Sequence, residues 1–214
     1  SSTSSKTSGS KKFKAQGGAR FGLHRKTQHG DFTLNVSYVT NIADSQGMQN
    51  NGLSSTTGSF NGFSVNTAGN NLAKSVPGFD ATLKSSFKYF SFIGEYVSAI
   101  NAFDKTDMAF NTKAAKPQAM QGEIDINWNM FNRPFTLGAF YGQTVQALAL
   151  NLPKTSMGAV LSTSVFKDTN EAIEFRLDKN YKAADTAFGR GATTNTTADG
   201  KSNYTVTARI GIYF

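Results

Sequence analysis

The chain has 214 residues and a formal net charge of +8, from 22 Lys and Arg against 14 Asp and Glu. It contains no Cys, which excludes a disulfide scaffold and a cysteine–zinc site, and no apolar run approaches the roughly 18 residues that a membrane helix needs. Charged residues make up 17% of the chain, against about 25% in an average soluble domain, and aromatic residues reach 12%, which argues against a disordered chain.

The N-terminal segment 1–12 is polar and Ser-rich, with no apolar face, so it is predicted to contain no strand. From residue 13 onward, apolar and polar residues alternate with the period of two that is typical of β-strands. In AMQGEIDINWNM, for example, most positions from Met120 to Met130 on one parity are apolar, and the positions between them are polar. The alternation predicts nine strands, in chain order 13–24, 31–42, 79–90, 92–103, 119–130, 135–147, 156–166, 171–181 and 203–214.

The predicted strands are eleven to thirteen residues long. Strands of soluble domains usually have about 5–6 residues, whereas a tilted membrane-spanning strand needs about 9–11. The lengths therefore favour membrane strands. A soluble sandwich with long, half-exposed strands remains the alternative.

The predicted connections alternate between short and long. The short ones are 25–30, 90–91, 131–134 and 167–170, and the long ones are 43–78, 104–118, 148–155 and 182–202. Bacterial outer-membrane barrels have short periplasmic turns and longer extracellular loops. The sequence therefore predicts an all-β protein, an antiparallel up-and-down transmembrane β-barrel of the bacterial outer membrane, in contact with lipid and lipopolysaccharide.

Aromatic residues cluster near both ends of the predicted strands, as in the two girdles that such barrels place at the membrane interfaces. Phe79 and Tyr89 are ten residues apart on one parity, as are Tyr204 and Phe214. At about 3.3 Å per residue and a tilt of about 45°, this spacing gives roughly 23 Å, close to the height of the apolar band. Ordinary cross-strand packing is the alternative. The predicted interface residues are Phe79, Tyr89, Phe92, Trp128, Phe135, Tyr141, Tyr181 and Tyr204.

The chain closes on ARIGIYF, with Ile210, Ile212 and Phe214 at alternate positions. This ending resembles the C-terminal signal that the barrel assembly machinery recognises, so that machinery is an expected partner. If the last strand ends in the periplasm, nine strands place segment 1–12 outside the cell, although single-chain bacterial barrels have an even number of strands. We therefore expect the C-terminal part of a larger barrel, with 1–12 in an outer loop. A tenth strand within 1–12 is the less favoured alternative.

About two-thirds of the chain, from Pro77 to Phe214, resembles the legiobactin-type siderophore porins, the LbtU-like family. The stretches that carry the resemblance are PGFDATLKSSFKYFSFIGEYVSA, KPQAMQGEIDINW, PFTLGAFYGQTVQALALNLPKTSMGAVLSTSVFKDTNEAIEF and ARIGIYF. The resemblance implies an outer-membrane barrel that takes part in iron uptake in Gram-negative bacteria by passing ferric siderophores.

Charged residues within the predicted strands fall almost entirely on the parity opposite to the apolar rows. In a porin these side chains would face a wet lumen and tune which solute passes. An interior network of ion pairs that stiffens the barrel is the alternative, and Lys84 and Lys88 are expected to lie near Glu95. The predicted lumen-facing residues are Lys14, Arg20, Lys84, Lys88, Glu95, Glu123, Asp125, Glu174, Arg176, Asp178 and Arg209.

No sequence motif marks an enzyme, a cofactor site, a metal site or a nucleic-acid-binding module. His24 and His29 flank a short turn without metal-ligand or catalytic spacing, and FGRG at 188–191 lies in a predicted loop. We therefore expect a porin or transporter for a small polar solute, with an iron–siderophore complex as the first candidate. The alternative is a structural or surface-interaction barrel, an adhesin or an anchor, that acts through loops 43–78 and 182–202.

Overall fold

The computed structural model describes residues 17–44, 48, 72–166, 168–190, 192 and 195–212. The predicted outer segment 1–12, Lys14, most of connection 43–78 and Phe214 lie outside the described residues. No described helix is both long and apolar enough to cross a membrane.

Thirteen β-strands make up most of the described chain. In chain order they are β1 (Gly18–Lys26), β2 (Gly30–Val39), β3 (Gly78–Phe87), β4 (Phe90–Ala99), β5 (Met108–Phe110), β6 (Lys113–Ala114), β7 (Gln118–Met130), β8 (Arg133–Val145), β9 (Thr155–Thr163), β10 (Thr169–Lys179), β11 (Thr186–Gly189), β12 (Thr196–Thr197) and β13 (Ser202–Ile212). Within the part of the chain that the structure describes, short 3-10 helices cover Ile42–Asp44 and Leu148–Leu150.

Nine long strands form one sheet in the order β1-β2-β3-β4-β7-β8-β9-β10-β13, and each neighbouring pair is antiparallel. These are the nine strands that the period of two predicts, so the all-β, antiparallel, up-and-down prediction is confirmed at the level of the sheet. The order follows the chain because every long strand pairs with the next long strand. The edges of the sheet are β1 and β13.

The strand register sorts the side chains of the nine-stranded sheet onto two unlike faces. Residues directly opposite each other across a strand pair share a face. Glu123 is opposite Ile93 and Phe140, whereas Ile124 is opposite Phe92 and Ala139. We call the face of Glu123 the polar face and the face of Ile124 the apolar face. The apolar face carries charge only near strand ends, at Arg25, Arg133, Glu171 and Lys179.

Burial on the two faces is the reverse of that in a soluble sandwich. On the apolar face, Ile124 is 55%, Ile173 60% and Val206 70% exposed. On the polar face, Glu123 and Asp125 are only partly exposed. The apolar rows are therefore not buried between two sheets in the described chain, contrary to what the sandwich alternative requires.

Two long connections that were predicted to be loops contain a second, four-stranded sheet. Its order is β12-β11-β5-β6, and Ala187 of β11 lies opposite Phe110 of β5. Around it, at the end of the large sheet where the long connections lie, is a buried apolar cluster. We call the described parts of the connections 40–48, 72–77, 100–117, 146–154 and 180–201 the loop cap. The cluster comprises Ile42, Ala43, Met48, Val76, Ala99, Phe103, Met108, Ala115, Leu148, Ala149, Tyr181 and Ala187.

The opposite end of the large sheet has tight turns, and one of them corrects the sequence prediction. Strands β3 and β4 are joined by Lys88 and Tyr89 alone, and Lys88 has a φ of 52°. Two-residue hairpin turns require such left-handed backbone angles, so the strand ends at Phe87 rather than at residue 90. Lys88 therefore does not point from the polar face. Its Nζ lies 4.7 Å from the centre of the Tyr89 ring, and Tyr89 belongs to the turn rather than to a strand face.

Candidate functional site

The polar face brings together most of the charged residues predicted from the sequence. They come from six strands and include both signs of charge. The predicted residues on this face are Arg20, Lys84, Glu95, Glu123, Asp125, Glu174, Arg176, Asp178 and Arg209. Of the remaining two, Lys14 lies outside the described residues and Lys88 lies in a turn.

Hydrogen bonds on the polar face link neighbouring side chains. Gln121 donates from Nε2 to Glu95 Oε2 at 2.9 Å, and Arg176 donates from Nε to Asp178 Oδ1 at 2.9 Å. The expected contact between Lys84 and Glu95 is not formed, because Lys84 lies opposite Ile93 rather than opposite Glu95. The polar face is thus partly networked and keeps free polar groups.

His24 is part of the polar face, although it was not among the predicted lumen-facing residues. Its Nε2 lies 3.1 Å from Asp31 Oδ2, across the β1–β2 pair. The parity of the strand indicates this position, because His24 lies an even number of positions from Arg20 and from Lys26 on β1. No group of three or more His, Asp or Glu side chains in the described ranges is arranged to hold a metal ion.

Asp107 joins three connections of the loop cap. Its fully buried carboxylate forms an ion pair with Arg190 through Oδ1. Its Oδ2 accepts hydrogen bonds from the backbone N–H groups of Ala73 at 2.9 Å and Lys74 at 3.4 Å. The Asp107 carbonyl also accepts a bond from the Arg190 backbone N–H at 2.8 Å. One side chain therefore ties segments 72–77, 100–117 and 180–201 together.

Tyr181 is a second residue that connects parts of the cap. It was predicted to lie at the membrane interface, but the structure places it in the cap. It is buried, and its hydroxyl lies 2.8 Å from Thr144 Oγ1 and accepts the Ala147 backbone N–H at 3.0 Å. Its ring contacts that of Phe110, with centroids 5.5 Å apart. Burial raises the pKa of the Tyr181 hydroxyl, so the group stays protonated and neutral. Strand β10 ends at Lys179, so the parity of the strand no longer applies two residues later.

Two cavities lie where the loop cap meets the polar face. The first has a volume of about 480 Å³ and a mostly apolar lining, contributed by strand residues such as Val39, Val97 and Ala119 and by Leu150 and Leu152 of the cap. The second has a volume of about 330 Å³, and its lining includes Glu95, Gln121 and Arg176. Val97, Ala119 and Leu152 line both cavities, so the two are neighbours with a shared wall.

Six of the eight predicted interface aromatics lie on the apolar face; the other two are Tyr181 in the cap and Tyr89 in a turn. Trp128 and Phe135 are directly opposite each other and stack with ring centroids 5.7 Å apart. Phe92 lies toward the same short-turn end. Toward the loop cap, the face carries Phe79, Tyr141 and Tyr204, together with Tyr38 and Tyr96, which were not predicted. The ten-residue spacing from Phe79 to Tyr89 does not lie within one strand, because Tyr89 lies in a turn. The second predicted pair, Tyr204 and Phe214, ends outside the described residues.

The closing strand β13 is described as far as Ile212. Ile210 and Ile212 of the predicted assembly signal are exposed on the apolar face, and Phe214 lies outside the described residues.

Comparison with known proteins gives relatives among curated sequences. The chain is 38% identical over 183 residues to a UPF0422 protein of Legionella pneumophila strain Philadelphia 1, covering 83% of this chain and 34% of that protein. It is 33% identical over 183 residues to a UPF0422 protein of Coxiella burnetii, covering 85% of this chain and 37% of that protein. No family model and no solved structure matches. The chain is thus similar to the UPF0422 proteins of Legionella and Coxiella and spans about a third of their length.

Proposed function

We propose that the nine-stranded sheet forms part of the wall of a transmembrane β-barrel in the bacterial outer membrane, and that the barrel passes a small polar solute. The observation that supports this most is the reversed burial of the sheet. A broad row of Phe, Ile, Leu, Val and Met side chains is exposed, while the charged face is partly covered. Lipid would cover the exposed row, and water would fill the space before the charged face.

The geometry of the strands supports the same proposal. The nine strands have nine to thirteen residues each, which suits tilted membrane strands. Charge on the apolar face is confined to positions near strand ends, where it would reach the headgroups of the lipid. Short turns lie at one end of the sheet and long connections at the other, as in bacterial barrels.

The composition of the polar face supports the class of solute that we propose. Basic and acidic side chains lie on it together, so the face suits a solute with several polar groups better than a simple ion of one sign. A ferric siderophore is our first candidate, and it rests on the resemblance to the siderophore porins. In this proposal the iron is cargo.

The compartment is tested by expressing the full-length protein behind an outer-membrane export signal in a Gram-negative host and separating the membranes. We expect the protein in the outer-membrane fraction and expect its migration on gels to shift on heating, as folded barrels do. Recovery as a monomer in plain buffer would contradict the membrane proposal.

A surface-interaction barrel is the second candidate, because the loop cap is folded around a buried cluster rather than open. Conductance of the full-length protein in a planar bilayer separates the two candidates. Stepwise channel currents that a ferric siderophore blocks would support transport. A barrel that inserts without current would support an adhesin or an anchor.

A further inference from the structure

We propose that the two neighbouring cavities between the loop cap and the polar face form one binding site for a small amphipathic molecule with a zwitterionic head group. This inference deepens the proposed function, because it replaces a wholly polar solute by one with an apolar portion. It rests on the proposed function for the route by which the molecule reaches the site. The apolar portion would occupy the first cavity and the head group the second.

The first cavity has a mostly apolar lining although it lies on the polar face, and Ser37 and Asp80 are among its polar members. Val39, Val97 and Ala119 share the parity of the charged residues on their strands, and the cap adds Leu150 and Leu152 on the other side. Its volume of about 480 Å³ lies within the range of roughly 300–1,000 Å³ that is usual for small-molecule sites. Because most of the lining is apolar, a wholly polar solute would lose more hydration there than its hydrogen bonds to the few polar groups replace, so the chemistry favours a hydrocarbon group.

The second cavity offers polar groups of both signs. Glu95 uses Oε2 for Gln121, and Arg176 uses Nε for Asp178, so within the described chain Glu95 Oε1 and the two terminal nitrogens of Arg176 keep free hydrogen-bonding capacity. A carboxylate or phosphate can bind the guanidinium, and an ammonium group can bind the Glu95 carboxylate. In this proposal the head group carries both charges, so that each of these two side chains has a partner, whereas a singly charged head would leave one of them unpaired.

Small residues create the space for the head group. Gly142 of β8 and Ala119 of β7 line the second cavity, and a Cβ at residue 142 would have no neighbouring atom closer than 3.6 Å. A larger side chain at either position can therefore project into the cavity without a backbone clash. Gly122 of β7 provides the matched control, because it lies on the apolar face and its nearest atoms to an added Cβ are 3.9 Å away.

The test measures binding of radiolabelled 2-aminododecanoic acid, which joins a ten-carbon chain to an amino-acid head, to the full-length protein in amphipol. Equilibrium dialysis against protein-free amphipol corrects for partitioning. We expect saturable binding that 2-aminobutanoic acid, with the same head and no long chain, does not displace. We also expect dodecanoic acid, with the chain and an anionic head alone, to bind at least tenfold more weakly.

The variants Ala119→Leu and Gly142→Leu are expected to weaken binding at least tenfold, while Gly122→Leu binds as the wild type does. Heat-modified migration on gels checks that each variant is folded. Equal binding by all three variants, displacement by 2-aminobutanoic acid, or no saturable binding to the wild type would each overturn this inference. Outer-membrane fractionation tests the proposed function independently of the binding experiment. A protein that reaches the outer membrane but does not bind 2-aminododecanoic acid contradicts only the proposed binding site.

Discussion

Asp107 and Arg190 are 83 residues apart in the chain and form an ion pair inside the loop cap, where the Asp107 side chain is fully buried. The same carboxylate accepts two backbone hydrogen bonds from the segment that leads into β3. The contact thus holds together three connections that leave the large sheet between different strands.

We expect Asp107→Asn to loosen the cap without unfolding the sheet. The substitution keeps the shape but leaves Arg190 without its counter-ion, and losing one partner of a buried pair costs about 3 kcal/mol. Hydrogen exchange of the Ala73 and Lys74 amides should become faster, while amides in the middle of β7 keep their protection. The matched control is Asp199→Asn, an exposed aspartate whose partners are the neighbouring Lys201 and Asn180. Equal effects of the two substitutions on Ala73 would contradict this account of the junction.

A charge placed on the apolar face should prevent assembly, whereas the same charge on the polar face should not. Val206 and Thr205 are adjacent on β13, both are exposed, and they point to opposite faces. For a strand in a bilayer, Val206→Lys should cost about 2–4 kcal/mol near the mid-plane, and Thr205→Lys should cost far less. The folded fraction in lipid vesicles, read from heat-modified migration, measures the difference. If Val206→Lys assembles as well as Thr205→Lys, lipid does not cover the apolar face.

Removal of the Tyr181 hydroxyl tests whether this residue belongs to the cap or to a membrane interface. Tyr181→Phe leaves the buried Ala147 backbone N–H without its acceptor, which costs about 1–3 kcal/mol. Thermal unfolding of the full-length protein should show this loss. Tyr141→Phe is the comparison, because that hydroxyl is exposed and its bond to Gln143 is 3.4 Å long. If Tyr181→Phe leaves the thermal stability unchanged, the ring of Tyr181 and not its hydroxyl stabilises the cap.

Substitution by alanine should affect stability differently at two glycines of the sheet. A Cβ at residue 158 would overlap the Phe175 carbonyl oxygen and the Phe140 ring, whereas one at residue 122 meets no atom within 3.8 Å. Gly158→Ala is therefore expected to destabilise the protein by about 1–3 kcal/mol. Gly122→Ala should be neutral or stabilising by up to about 1 kcal/mol, since alanine restricts the unfolded chain. Denaturant unfolding in the same detergent gives both values, and a reversed order would contradict the packing described around Phe140.

The nine long strands were predictable because one physical pattern repeats along each of them. A side-chain period of two survives small errors in strand bounds, so polar positions such as Glu123 and Asp125 were assigned to the correct face. The prediction was wrong where the alternation of apolar and polar residues continues in the sequence beyond the end of the strand. Lys88 and Tyr181 both continue the parity of a preceding strand, but the first lies in a hairpin turn and the second in the cap.

The cap and its cavities were not predictable from local sequence. Strands β5, β6, β11 and β12 have two to four residues each, too few to show a period, and β5 and β11 pair across more than seventy residues of chain. The burial of Asp107 likewise depends on Arg190, which nothing in its own segment indicates. The cavities depend on where Leu150 and Leu152 fold over the sheet, which is a long-range property of the same kind.

The junction at Asp107 limits how the exterior of the protein can be redesigned. Connections between strands are usually exchanged one at a time, since each is anchored only at its own ends. Here a graft of segment 100–117 alone would remove the acceptor for Ala73 and the counter-ion of Arg190 together. Chimaeras with the Legionella or Coxiella relatives should therefore transplant segments 72–77, 100–117 and 180–201 as a set.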